Sequence, residues 1–162
     1  MNEDYIKMIE IINDSISKFN EFLSPNYQIP LIDLSKIDDN KQFTRLRGTT
    51  WRDLALPNAT KRGVYFIFGH DSQDVSLKSA YIGKASYGSS MGIRMHNHLV
   101  KDKNNENFTM GDLSGNIHHF EYVYGLDMES SGLAIFSSAL EEFLILNVRE
   151  KIKLLNGTGN LR

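Results

Sequence analysis

Between residues 3 and 23 the apolar side chains of Ile6, Ile9, Ile12, Ile16, Phe19 and Leu23 recur every three or four positions. That spacing lines one face of a helix. Pro25 and Pro30 close it and open an extended connection. Residues 31–60 hold no sustained period, although Trp51, Leu54 and Leu56 read as core contributors. At Gly63 the pattern changes. GVYFIFG (63–69) is a β-branched and aromatic run bounded by glycines, which suits a buried strand. The polar stretch 70–76 reads as a turn and 77–83 as a second strand, so the two form an antiparallel hairpin. Ser89 or Ser90 is placed to cap a helix running to about Val100. KDKNNENFTMGDLSGN (101–116) is too polar to build core and reads as a loop, and 117–124 reads as a third strand. A last helix is predicted over about 133–153, capped by Ser130 or Ser131. There Ala134, Phe136, Leu140, Phe143, Leu144 and Val148 recur helically, and Gly157 and Gly159 end it.

This order predicts an α/β (α+β) protein, with a small three-stranded mixed sheet flanked by helices and an N-terminal helical extension. Residues 1–62 form the helix and extension, part of the same domain, and residues 63–162 form the core. There are no internal repeats. At 162 residues the chain is long enough for one sizeable core.

Composition narrows the chemistry. The chain has no cysteine, which removes disulfides, thiolate metal sites and cysteine nucleophiles together. No apolar run approaches the roughly 18 residues that span a bilayer. The first residues, MNEDYIKMIE, carry acids where a signal peptide carries basic groups. These features lead to the expectation of a soluble, cytoplasmic protein with no membrane partner.

The net charge of −2 does not by itself suggest a nucleic-acid partner. Its distribution does more. Residues 1–40 hold three lysines against eight acids, whereas residues 41–162 hold 15 basic residues against 12 acids. The basic residues gather at Lys41, Arg45, Arg47, Arg52, Lys61 and Arg62, and again at Lys84, Arg94, Lys101 and Lys103. Phosphate neutralisation needs a local basic surface, not a basic chain.

Several familiar motifs fail. Gly83-Lys84-Ala85 lacks the earlier glycine and the following Ser or Thr of a phosphate-binding loop, Lys78 standing where that glycine is needed. No Glu-x-Lys triplet offers a two-carboxylate nuclease site. His96-Asn97-His98 spells a nuclease name only by coincidence. The histidine pairs His96/His98 and His118/His119 are poor zinc sets without cysteine. Alternation sends His118 and His119 to opposite faces of their strand, and neither they nor Tyr122 receives a role.

One constellation remains. The predicted hairpin carries Gly63-Val64-Tyr65 and Tyr81-Ile82-Gly83, followed by Lys84-Ala85. The next helix carries Arg94 and, four residues on, His98, which places both on one helix face. The last helix carries Ala139-Leu140-Glu141-Glu142-Phe143-Leu144-Ile145, and Asn156 follows Leu154-Leu155. These elements, in this order, resemble the GIY-YIG nucleases, with Val replacing Ile in the first tripeptide. The resemblance covers about residues 63–156. The first-to-second tripeptide loop is longer than in the shortest members. The stretch from Glu141 to Asn156 is about a helical turn longer than usual and lacks the family's common proline.

Each residue suits phosphodiester hydrolysis, in which charge grows on the phosphoryl and leaving oxygens. Arg94 can fork onto phosphate oxygens and stays charged at any working pH. Glu141 can hold one Mg²⁺ or Mn²⁺ through carboxylate and water, with its neighbour Glu142 the alternative ligand. One carboxylate suits one metal. The resemblance casts Tyr65 as the base or water-orienting group. A phenol with a pKa of about 10 needs Lys84 or the metal to lower it, and His98 is a rival base by intrinsic pKa. Tyr81 is expected to hydrogen-bond phosphate or water, and Gly83 to allow close backbone approach. Asn156 matches the family's closing asparagine.

The resemblance implies a metal-dependent endonuclease on double-stranded DNA, most like the family's small stand-alone restriction endonucleases, with a homodimer as the arrangement that cuts both strands, because one site cuts one strand. Residues 1–62 would then serve DNA recognition or dimerisation. A repair or mobile-element nuclease would use the same site. A non-catalytic DNA-binding module on the same fold is the reading from another class.

Overall fold

The computed structural model describes residues 3–36, 43–46, 56–99, 108–112 and 114–156. Helix α1 spans Glu3–Asn20. Strand β1 (Phe43–Arg45) precedes the hairpin of β2 (Gly63–Asp71) and β3 (Lys78–Ala85). Helix α2 (Met91–Leu99) leads to β4 (Thr109–Gly111) and the long β5 (Ile117–Asp127). A 3₁₀ turn, Ala134–Phe136, runs into α3 (Ser137–Val148).

The sheet differs from the expected three-stranded mixed one. It has five strands in the order β1-β5-β2-β3, with β4 also paired to β5, and every pairing is antiparallel. A mixed sheet requires at least one pair of parallel neighbours. Strands β3 and β5 do run in the same direction, but β2 lies between them and is antiparallel to both. The two added strands are three residues long, too short to show an alternating pattern. Among the described residues, parallel pairing is confined to the single bridge between Ala80 and Leu154, which lays the chain after α3 along the outer edge of β3.

β2 is the centre of the molecule, and its residues divide two cores. Val64, Phe66 and Phe68 join one cluster with Ile9, Ile12 and Ile16 of α1 and Leu140, Leu144 and Val148 of α3. Tyr65 and Ile67 face the other way, into a cluster with Met91, Met95 and Leu99 of α2. A strand covered on both faces needs no polar positions, so GVYFIF is apolar throughout. Burying such side chains is worth about 1.5–3 kcal/mol each. Phe43 of β1 lies in the α1 cluster, its ring tilted against that of Tyr124 with centroids 4.5 Å apart.

Asparagine side chains fix the connections. Asn13 bonds both the N–H and the carbonyl of Ile32, and Asn20 does the same for Ile29, which ties the extended segment after α1 back onto the helix. Leu56 packs on the α2 cluster as expected, whereas Trp51 and Leu54 lie outside the described residues. So do Lys41, Arg47, Arg52, Lys101 and Lys103 of the basic groups. The stretch expected as a loop over 101–116 contains β4. The last helix is shorter than its apolar period, giving way to turns by Glu150.

Candidate active site at the end of the central hairpin

The hairpin register sets Tyr65 opposite Gly83 and Ile67 opposite Tyr81. Tyr65, Tyr81 and Gly83 therefore share the face covered by α2. The Tyr65 ring lies directly over Gly83. A β-carbon at position 83 would collide with Cζ and Oη of Tyr65, so only glycine leaves room for this ring. The rings of Tyr65 and Tyr81 are 6.3 Å apart. Both lie near His98, whose ring is 4.5 Å from that of Tyr81 and 6.1 Å from that of Tyr65. Tyr81 Oη and His98 Nε2 share a hydrogen bond of 3.1 Å.

Burial raises the pKa of Tyr65 well above the ordinary phenol range. Tyr81 and Glu141 add to the rise, and the Arg94 guanidinium opposes it. Tyr65 Oη is buried and makes no hydrogen bond of good geometry. Tyr81 is raised in the same way, by burial first and then Glu141, again against Arg94. The cation that acts on both phenols is thus Arg94. Lys84, expected to help lower Tyr65, is committed elsewhere: its Nζ lies 3.1 Å from Oε2 of Glu141.

Glu141 reaches the site from α3. It follows Leu140 on a helix whose Leu140, Leu144 and Val148 are in the core, and only 7% of its surface is exposed. Glu142 is solvent-exposed. Burial raises the Glu141 pKa, and the ammonium of Lys84 and the guanidinium of Arg94 pull it back. Tyr65, Tyr81, Arg94, His98, Lys84 and Glu141, drawn from four elements, therefore converge at one end of the hairpin. Asn156 does not join them. Its amide donates to the Ile82 carbonyl at 2.6 Å, and its carbonyl accepts from the Ile82 N–H at 3.0 Å. It clamps the backbone between Tyr81 and Gly83.

A divalent cation fits this set in a limited way. Among the described residues no group of three His, Cys, Asp or Glu side chains could hold one. Mg²⁺ keeps several waters and is commonly held by one or two carboxylates together with substrate phosphate. Glu141, buried against its own ionisation and carrying hard oxygen donors, suits that mode. Tyr65 Oη, buried without a hydrogen bond of good geometry and close enough for Glu141 to act on its pKa, provides a further polar position.

A second buried polar cluster escaped the sequence reading. His118 is only 2% exposed, with Nδ1 3.1 Å from Ser79 Oγ and Nε2 3.3 Å from Asp112 Oδ2. Lys153 binds the same Asp112 oxygen at 3.1 Å. Ser79 is fully buried, so this chain of groups joins β3, β5 and the segment after α3 but offers no accessible nucleophile. His119 is half-buried beside His70. Of the basic residues nearer the hairpin, Arg62 is paired with Glu129 at 2.8 Å.

No family model, no curated protein and no solved structure matches the chain.

Proposed function

We propose that this protein is a metal-dependent endonuclease that hydrolyses DNA phosphodiester bonds at the end of the β2–β3 hairpin. The observation that carries the reading is the convergence of two phenols, an imidazole, a guanidinium and a Lys–Glu pair with a buried carboxylate around Gly83. Together they supply a phosphate clamp, a proton acceptor and a metal-holding carboxylate. The motif order GVY…YIGKA…Arg-x-x-x-His…Glu supports the same reading through its resemblance to the GIY-YIG nucleases.

The residues divide the work as follows. Arg94, exposed on α2, grips the non-bridging oxygens of the scissile phosphate. Glu141 holds Mg²⁺ or Mn²⁺. When bound, the ion supplies positive charge to the leaving oxygen. Lys84 opposes the effect of burial on the Glu141 carboxylate, pulling its pKa back toward the ordinary range. In the free protein Tyr65 is a neutral phenol at physiological pH, because burial outweighs Arg94. It therefore orients the attacking water by hydrogen bonding. The proton passes to His98 through Tyr81, whose hydroxyl is already bonded to Nε2. A single carboxylate suits a one-metal mechanism.

Double-stranded DNA is the proposed substrate and a type II restriction-like activity the proposed role. Cutting both strands then calls for a homodimer or two successive encounters. The test is cleavage of mixed plasmid and phage DNA with Mg²⁺ or Mn²⁺, beside Glu141→Ala and EDTA controls. Discrete fragments lost in both controls support the proposal. Intact DNA binding without cleavage under any metal replaces it with a non-catalytic DNA-binding module.

A further inference from the structure

Away from Glu141, a cavity of about 350 Å³ opens between the first turns of α1, the start of β3 and the chain after α3. Lys7, Lys78, Lys151 and Lys153 line it, and Asp4 is the one acid among its lining residues. Four ammonium groups gathered from three segments repel one another unless an anion shares the space. Two of them are held in place. Lys78 lies 5.0 Å over the Tyr5 ring and donates to the Val75 carbonyl, and Lys153 is fixed by Asp112. Lys7 and Lys151 are exposed at the rim, and among the described residues neither is engaged in an ion pair.

Strand β3 links this cavity to the proposed catalytic site. Lys78 is its first residue, and Lys84, paired with Glu141, lies six positions on. Six residues of strand cover about 20 Å, and residues an even number apart project from the same face. The two lysines thus lie about 20 Å apart on the sheet face covered by α1 and α3, and Lys84 meets the proposed site through Glu141.

Resting on the nuclease reading above, we propose that the lysine-lined cavity binds a backbone phosphate of the same DNA duplex, about 20 Å from the scissile bond. Such a contact carries no sequence information but fixes the register of the duplex across the site.

The test uses the full chain with the exposed pair replaced, Lys7→Ala/Lys151→Ala, in both the active and the Glu141→Gln background. Binding to a 30-base-pair duplex is measured by fluorescence anisotropy across a salt series. Expected are a roughly ten-fold weaker Kd near 0.1 M salt and a salt slope shallower by about 0.9, one phosphate's worth. The melting temperature and the cleavage rate at saturating DNA stay unchanged. Equal affinity and slope in wild type and variant overturn the proposal. So does unchanged DNA binding accompanied by lost calorimetric binding of inorganic phosphate or a mononucleotide, which assigns the cavity to a free phosphate compound. If no protein cleaves but the lysine pair still weakens DNA binding in the Glu141→Gln background, the catalytic reading fails while the phosphate contact stands.

Discussion

The hydroxyl of Tyr81 lies 3.1 Å from Nε2 of His98, which bonds the outermost strand of the sheet to the helix that carries Arg94. The bond makes the two side chains a unit, and units respond to mutation non-additively. Tyr81→Phe and His98→Gln are each expected to slow single-turnover DNA cleavage by about 10²–10⁴-fold, the usual worth of a general base. The double variant is expected to be no slower than the worse single one. Losses that multiply in the double variant would show that the two residues act separately and would return the base role to Tyr65.

Gly83 is tested through the ring above it. In Gly83→Ala the new methyl meets the Tyr65 ring, and the ring is boxed in by the α2 cluster. Overpacking of this kind costs about 1–3 kcal/mol. For a chain of this length that lowers Tm by about 2–4 °C per kcal/mol. The same substitution made in a Tyr65→Ala background should cost less Tm than it does in wild type, because the ring that the new methyl meets is gone, and neither variant lacking the phenol should cleave DNA. Calorimetric melting of the variants decides it; a Gly83→Ala protein that melts like wild type contradicts the close approach.

Glu141 gives a prediction that sets stability against function. Its pKa is raised in the folded protein, by burial more than Lys84 and Arg94 restore. A raised carboxylate contributes stability below its unfolded pKa, near 4.3, and loses it as pH rises through the folded value. At neutral pH the ionised group is therefore a net cost. Glu141→Gln should melt higher than wild type at pH 7–8, with the difference closing toward pH 4, while DNA cleavage is abolished. Lys84 is about one-third exposed and can turn to water when its partner is lost. Added Mg²⁺ should raise the wild-type Tm and leave the variant unmoved. A variant less stable than wild type at pH 8 would mean that the Lys84 bond outweighs burial.

How far the sequence reaches depends on how local each feature is. GVYFIFG announces a strand because its neighbours on both faces are apolar, so the signal lies within seven residues. The site residues on β2, β3, α2 and α3 were legible as an ordered motif, and the structure brings six of the seven together. β1 and β4 were not legible, because three residues cannot display a period. β5 was expected to stop at Tyr124 but runs to Asp127. Gly125 interrupts the apolar run there, at a point where the Pro57 carbonyl packs against the backbone and excludes a side chain. Asn156 was recognised by position, yet its work is to hold the Ile82 backbone, 74 residues earlier. The His118 cluster lay further out of reach, because Ser79 and His118 meet only once β3, β2 and β5 are assembled.

That cluster supplies a prediction of opposite sign to Glu141. Burial pushes the Asp112 pKa up, but Lys153, the Asn116 N–H and His118 overcome it and hold the carboxyl well below the usual range. A depressed carboxylate contributes stability above its unfolded pKa and loses it as pH falls through the folded value. Asp112→Asn should therefore lower Tm at neutral pH, and the gap from wild type should close progressively below pH 4. The substitution leaves His118, which is almost fully buried, facing an amide in place of a charge, and it frees Lys153 from the edge of β3. The same edge carries Asn156 and, through it, Ile82 between Tyr81 and Gly83. Asp112→Asn should thus also weaken amide-exchange protection at Ala80 and Ile82 before global unfolding, measurable by hydrogen exchange at pH 7. A Tm deficit that persists unchanged into acid would show that packing, not charge, is what Asp112 supplies.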